Sequence, residues 1–395
     1  AVSKIVNPEL PNIFKGYNPY KHQTDAIKIA LSGNDFVVTS GTGSGKSLTY
    51  LATIFDFVLS NLQKSQGLVS IIVYPMNALI NSQSEEIKKF SEKYKNETGK
   101  EFPIRFGQFT GQESEEERNA IRSNPPHILL TNYMMLELIM TRSGEADIRK
   151  SIRDNLRFLV FDELHTYRGR QGSDVSMLIR RIKSSASNDL LCMGTSATMV
   201  SNNDTTLLEQ KEAVANVASR IFGTTFDTSQ IINESLLPSL CNDETNISID
   251  EIKASFANRI NLNVDANAFR QNAVAKWIEL SISLEKKEGT FVRRKPQNIS
   301  EMAKELSSYS GFSIDECKNK ILDILNWAIY LNTNSGESLF PFKIHKFISQ
   351  TGTVYSSLDR DENQIITLNP VVYIGKGEYK KPLFPIVFSR ITGTE

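Results

Sequence analysis

Three short clusters in this sequence carry the residue types that phosphate chemistry needs. The first is Ser40-Gly-Thr-Gly-Ser-Gly-Lys46-Ser47. Gly41, Gly43 and Gly45 let the backbone curl, so that its N–H groups, with Thr42 and Ser44 between the glycines, cradle anionic oxygens. A helix opening directly afterwards adds the positive end of its dipole. In such a loop Lys46 reaches the β and γ phosphates of ATP, and Ser47 offers a hydroxyl to Mg2+. The strict pattern has Gly where Ser40 stands, so the loop departs from it at one position. The second cluster is Asp162-Glu163-Leu164-His165, at the end of the apolar run Leu159-Val-Phe161. A carboxylate there can hold Mg2+, the role expected of Asp162, and a second can polarise an attacking water, the role expected of Glu163. The third is Thr195-Ser196-Ala197-Thr198. The hydroxyls of Ser196 and Thr198 could hydrogen-bond to His165; taken alone, the cluster is equally a helix N-cap.

These clusters need elements to bring them together. Apolar runs at Asp35–Thr39, Leu68–Tyr74, Ile104–Phe109, His127–Thr131, Phe158–Phe161 and Leu190–Gly194 read as buried strands. Helical patterns lie between and after them, at Met76–Phe90, Glu113–Arg122, Asp174–Lys183 and Leu207–Phe222. Such alternation predicts an α/β fold with a parallel sheet flanked by helices. The glycine-rich loop then falls between a strand and a helix, and the DELH and SAT clusters each follow a strand. The acidic run Glu113–Glu117 reads as a solvated helix start.

The order of the three clusters resembles the first, RecA-like motor domain of superfamily 2 DExH-box helicases, over about residues 15–225. Motors of that family often place a small residue where Ser40 stands. The resemblance implies ATP and Mg2+ as cofactors, with Lys46, Asp162, Glu163 and His165 as catalytic residues and Ser47 and Asp162 at the metal. It also implies that Tyr20 and Gln23 bind the nucleotide, the Gln23 amide reading the adenine edge with a donor and an acceptor together. Tyr74-Pro75-Met-Asn77, Thr110-Gly111 and Thr131-Asn132 resemble the family's strand-contacting motifs, which hold nucleic-acid phosphates by backbone N–H and small hydroxyls. Arg168 is assigned to the same partner. Thr110 and Asn132 fit the alternative of helix or turn caps equally well. Asp162–Gly169, Gly172-Ser-Asp-Val, Arg180-Arg181, Thr131–Glu137 and Phe342–Ile348 further resemble a branch that contains MrfA-type repair helicases and the large helicases of phage-defence systems such as DISARM and Druantia. Where large members of that branch carry a Cys-Arg-x-Cys-Gly stretch, this chain reads Ser389-Arg-Ile-Thr-Gly393, which lacks both thiols.

Beyond the motor region, residues 226–247 are rich in Thr, Ser, Asn and Asp and are expected to form a linker. Residues 248–335 are expected to be mostly helical, with capping boxes at Asn298/Glu301 and Ser313/Glu316 and a helix-ending Gly311 between them. Two short helices joined by a tight turn fit a winged-helix-like unit or a plain helical bundle. Residues 336–395 read as a β-rich segment, with a hairpin of Thr353–Leu358 and Gln364–Leu368. His345 reads as a core or surface histidine, His127 as a strand-start residue without a catalytic task. The basic run Arg293-Arg294-Lys295 fits a solvated loop or a phosphate contact.

Composition bounds what these regions can do. Lys plus Arg number 45, as do Asp plus Glu, so the formal net charge is zero. This argues against a chain that coats DNA by charge alone and leaves room for local basic patches. Cys192, Cys241 and Cys317 form no CxxC pair, which argues against a disulfide framework or zinc ribbon and fits a reducing, cytoplasmic setting. No apolar run approaches the roughly 20 residues of a membrane span. The chain opens on Ala1 instead of Met, and no Gln-x-x-Gly-Arg-x-x-Arg pattern follows residue 225. The sequence thus reads as an N-terminal motor half. Its partners are expected to be nucleic acid, single-stranded or tailed DNA in the first place, and a second RecA-like domain from the remainder of the helicase or a partner subunit. The alternative is a nucleotide-gated DNA- or protein-binding module with little turnover of its own.

Overall fold

The structure is a computed structural model that describes residues 6–41, 43–63, 67–197, 206–242, 245–257, 265–287, 289–334, 339–340, 342, 354–359, 364–368, 372–375 and 380–386. Contacts divide the chain into two compact units. The first comprises 1–260 and 267–324, the second 261–266 and 325–395.

The first unit is organised by seven strands: β1 (Phe36–Thr39), β2 (Ser70–Tyr74), β3 (Phe106–Phe109), β4 (Ile128–Asn132), β5 (Phe158–Phe161), β6 (Leu191–Ser196) and β7 (Ile231–Asn233). They pair in the order β3-β4-β2-β5-β6-β1-β7, every pairing parallel. This is the α/β arrangement expected, a parallel sheet flanked by helices as in RecA-like P-loop domains. Residue alternation explains why both faces are covered. Val37, Ile71, Val73, Leu129, Leu159, Phe161 and Cys192 share one buried cluster. Their strand neighbours Phe36, Val38, Ile72, Leu130, Val160 and Met193 share another. Successive side chains point to opposite faces of a strand, so runs apolar on both faces need a helical layer on each.

Helices α1 (Leu10–Ile13), α2 (Lys21–Leu31), α3 (Lys46–Ser60) and α4 (Asn77–Thr98) cover the second cluster. Helices α6 (Tyr133–Thr141), α7 (Ala146–Asn155), α8 (Gly169–Ser185) and α9 (Leu207–Phe222) cover the first. The short α5 (Glu115–Ser123) buries no residue. It starts at Ser114, whose hydroxyl accepts from Glu117 N–H at 3.2 Å, so the helix expected from Glu113 begins two residues later. The sheet also runs past the boundary expected at residue 225. Ile231 and Ile232 are buried beside β1, inside the stretch expected to be linker. Three residues among polar neighbours give too short a pattern for the alternation to be read.

After β7 come α10 (Ile249–Ala257), α11 (Ala266–Gln271), α12 (Ala273–Trp277), α13 (Ile299–Ser310) and α14 (Ile314–Asn334). Both capping boxes form: Asn298 Oδ1 accepts from Glu301 N–H at 3.0 Å, and Ser313 Oγ from Glu316 N–H at 3.3 Å. Gly311 ends α13 with φ 82°. The region is mostly helical, as expected, and within it β8 (Leu284–Lys287) and β9 (Thr290–Arg293) form an antiparallel hairpin. In the second unit, Tyr355–Ser356 pairs antiparallel with Ile366–Thr367, the hairpin expected there, and also with Phe384–Pro385. The Ser389–Gly393 stretch and His345 lie outside the described residues.

Candidate active site

The carboxyl ends of β1, β5 and β6 adjoin in the sheet, and the three clusters sit there. The glycine-rich loop leaves β1 and ends at Gly45, whose φ of 72° suits a residue without Cβ, before α3 starts at Lys46. Ser40 Oγ lies 2.5 Å from Ser44 Oγ, so the hydroxyl at the departure from the strict pattern bridges the loop. Lys46 is buried, and its Nζ donates to Ser40 O at 3.3 Å, Ser196 O at 3.4 Å and Glu163 Oε1 at 3.3 Å. One ammonium thus ties together all three clusters. Ser47 stands at the start of α3 and hydrogen-bonds to Tyr50. Thr42 and Thr198 lie outside the described residues.

Asp162 is buried beneath this lysine and accepts a hydrogen bond from the Thr195 hydroxyl. Burial pushes its carboxyl up to about 6; the Thr195 hydroxyl works against that and the Glu163 charge reinforces it. Glu163 has φ 52°, alone among the described non-glycine residues in the left-handed region. Its N–H donates to Thr195 Oγ1 at 3.1 Å, which helps to hold this conformation. Leu164 locks the turn by packing into the core over Gly194 of β6, where a Cβ would stand 2.4 Å from Leu164 Cδ1.

His165 Nδ1 lies 3.2 Å from the Ala197 N–H and 3.3 Å from Ser196 Oγ. It accepts from the amide, so the proton of the neutral ring resides on Nε2. Burial depresses its basicity, although Glu163 opposes this. Glu163 Oε2 lies 3.3 Å from that same Nδ1, yet it is a buried oxygen with no hydrogen-bond partner among the described residues. Two lone pairs facing each other explain why proximity makes no bond. An orphaned buried carboxylate oxygen wants a water proton or a cation. Together with the glycine-lined loop and the Asp162 carboxylate, it gives a donor set that fits a nucleotide–Mg2+ complex.

Gln23 departs from expectation. It is fully buried, donates to Gly45 O at 2.9 Å and accepts from Tyr20 N–H at 2.8 Å. Both ends of the amide are engaged inside the chain, so in this arrangement it braces the loop and does not face an adenine. Its neighbour His22 approaches Ser44 O at 3.2 Å in the same way. Tyr20 is 62% exposed and stacks on His22 with ring centroids 5.8 Å apart. It offers the flat apolar face that Gln23 lacks.

The strand-contacting candidates gather at the carboxyl ends of β2, β3 and β4. Asn132 Nδ2 donates to Asn77 Oδ1 at 2.8 Å and to Thr110 O at 3.4 Å, so one side chain joins the three motifs. Its Oδ1 also caps α6, accepting from Met135 N–H at 2.9 Å. Pro75 is half-buried at the turn into α4, and Arg168 is exposed just before α8. Thr131 differs from expectation: it is fully buried and its hydroxyl donates to Phe109 O at 2.6 Å, which removes it from a surface role. The N–H groups of Thr110 and Gly111 are also taken, because the Glu113 carboxylate accepts from both at 2.9 Å and from the Thr110 hydroxyl at 2.6 Å.

Residues 20–206 match the DEAD/DEAH box helicase family. This stretch is similar to a DEAD/DEAH box helicase domain. An uncharacterized ATP-dependent helicase of Methanocaldococcus jannaschii is 32% identical over 45% of this chain and 25% of its own length. Druantia protein DruE of Escherichia coli is 26% identical, over 42% of this chain and 15% of its own length. The chain therefore spans a quarter or less of these relatives. The crystal structure of the DUF1998 helicase MrfA superposes with a TM-score of 0.47 at 23% identity, over 58% of this chain and 33% of that one.

Three residues of this region have roles that their types and motifs do not assign. Thr195 holds both Asp162 and Glu163. Tyr50 and Tyr74 are fully buried with hydroxyls 3.2 Å apart, and Tyr50 donates to Gln83 Oε1 at 3.5 Å. They link Ser47 at the glycine-rich loop to α4, which follows Pro75. A polar group inside a buried run was the available signal, since buried hydroxyls need partners.

Proposed function

We propose that this helicase domain is a superfamily 2 motor half, which binds ATP with Mg2+ and hydrolyses it to move along nucleic acid. The observation that carries the reading is the Lys46 ammonium bonded at once to the loop, to Glu163 and to Ser196, beside an orphaned Glu163 oxygen. In this proposal Lys46 leaves Glu163 for the β and γ phosphates, held by Gly41, Thr42, Gly43, Ser44 and Gly45 as well. Ser47 and Asp162 would hold the metal, which supplies charge neutralisation for the phosphoryl group. Glu163, released from its ion pair, takes a proton from water as the water oxygen bonds to the γ-phosphorus and the bond to the β-phosphate oxygen breaks. His165, with Ser196 and Thr198, would link that event to the strand-contacting loops. Tyr20 would stack on the base.

Nucleic acid would lie across Pro75, Asn77, Thr110, Gly111, Asn132 and Arg168. Contacts of this kind grip the backbone and read no sequence. DNA is favoured over RNA through the resemblance of Asp162–Gly169 to the MrfA-type and phage-defence branch. The test is ATP binding and turnover with and without single-stranded DNA. Lys46→Ala should abolish binding. Glu163→Gln should keep binding while lowering turnover by about 10²–10⁴, the range for loss of a general base. ATP binding indifferent to Lys46→Ala would overturn the proposal.

A further inference from the structure

We infer that Arg293, at the end of the β8–β9 hairpin and outside the three clusters, is a phosphate-binding residue that the hairpin delivers to the glycine-rich loop, held in reserve by Glu234. The inference rests on the nucleotide reading above and adds a ligand to it.

The two side chains meet at one end of the loop. Arg293 Nε donates to Glu234 Oε1 at 2.8 Å. A Cβ placed on Gly41 would stand 3.5 Å from Arg293 Nε and 3.7 Å from Glu234 Oε1. The ion pair therefore lies directly over Gly41. The two ends of the loop are not alike: Gly45 abuts Gln23 and Tyr17, whereas Gly41 follows Ser40, whose carbonyl receives the Lys46 ammonium. If Lys46 marks where the terminal phosphates lie, Arg293 stands at the γ end.

Backbone on both sides is fixed while the guanidinium is not. Glu234 follows β7 directly, and its N–H donates to Thr39 O at 3.2 Å. The hairpin is pinned by a bridge between Leu236 and Phe291, and beyond Arg293 by Arg294 N–H donating to Ser283 O at 3.0 Å. The Arg293 side chain is 61% exposed and that of Glu234 is 16% exposed. An exposed guanidinium paired to a half-buried carboxylate is free to swing, and a carboxylate beside a phosphate loop repels a polyphosphate unless something neutralises it. Arg293 does the neutralising before the ligand arrives. Afterwards its planar fork suits phosphate oxygens better than a lysine would.

The probe is a fluorescent ATP analogue titrated into the full chain with Mg2+, with ADP and AMP as competitors. Arg293→Ala should weaken ATP about tenfold, the order expected for loss of one charge-assisted hydrogen bond, and ADP far less. Arg293→Lys should recover part of the loss, and Glu234→Gln should tighten ATP. An unchanged thermal midpoint in Arg293→Ala would show the fold intact. Equal ATP affinity in wild type and Arg293→Ala overturns the inference while Lys46-dependent binding leaves the nucleotide reading standing. Tighter binding by Arg293→Ala also overturns it, since the pair would then be a shutter over the loop. Absence of any Lys46-dependent binding in wild type removes the nucleotide reading and this inference together.

Discussion

At the scale of single residues, the site is a set of charges that neutralise one another until something displaces them. Lys46 holds Glu163, and Glu113 occupies the Thr110 and Gly111 N–H groups. Asp162 is the exception, being buried with a carboxyl pushed up to about 6. The sign follows from linkage: the folded state holds this proton more tightly than the unfolded chain does. Its contribution to stability is therefore full below the ordinary carboxylate range and is lost as pH rises through about 6. At neutral pH the buried charge opposes folding, and a bound cation would offset it. Asp162→Asn should thus raise the thermal midpoint by a few degrees at pH 8 and leave it unchanged at pH 4. Mg2+-dependent nucleotide binding by the wild type should weaken as pH falls through about 6. A binding curve flat between pH 8 and pH 5 would count against Asp162 as the metal ligand.

Glu113 makes a second residue-scale prediction. Its carboxylate sits where the proposed backbone phosphate would sit. Removal of one like charge at close range is worth about 1 kcal/mol in a solvent-exposed setting, or roughly fivefold in affinity. Glu113→Gln should tighten binding of a labelled single-stranded DNA by that factor, measured by anisotropy. Weaker binding would mean that Glu113 shapes the Thr110–Gly111 turn for the ligand and does not compete with it.

At the scale of elements, the site depends on close approach between the DELH turn and β6. Leu164 fills the space above Gly194, leaving none for a methyl group. Gly194→Ala should destabilise the domain by about 1–3 kcal/mol, the usual range for overpacking a core. It should also lower nucleotide affinity, because the turn that carries Asp162 and Glu163 is displaced. Thermal unfolding paired with nucleotide titration checks both; an unchanged melting point would show that the turn shifts freely. Elements with strong local signals were legible in the sequence. The α9 helix carries a capping box at Thr206 and Glu209 and runs Leu207–Phe222 as read. The β8–β9 hairpin was not legible, since neither Leu284–Lys287 nor Thr290–Arg293 alternates clearly and its pairing is a contact between partners, not a pattern within either.

At the scale of the whole molecule, equal numbers of basic and acidic residues leave no general attraction for nucleic acid. In the proposed function, grip would come from the β2, β3 and β4 loop ends, where Asn132 joins Asn77 and Thr110. No described helix is long and apolar enough to cross a membrane. An arginine finger from a second RecA-like domain is worth about 10³–10⁵ in rate. If the proposed function holds, ATP turnover by these 395 residues should rise steeply when such a domain is supplied in trans. Turnover unchanged by the added domain would refute that expectation.

The sequence by itself determined which residues could meet a phosphate and that they would lie at strand ends of a parallel sheet. Glycine spacing, apolar alternation and carboxylates after buried runs are local signals with local causes. Tertiary structure alone decided which groups are left free. Gln23 and Thr131 matched their motifs, yet folding turned the amide onto Gly45 and the hydroxyl onto Phe109. Arg293 belonged to a basic run that fitted a solvated loop or a phosphate contact equally well, and it arrives over Gly41 from 252 positions away in the chain, 293 minus 41. A side chain's hydrogen-bonding capacity is written in its type, whereas the partner that satisfies it is set by packing between segments distant in sequence.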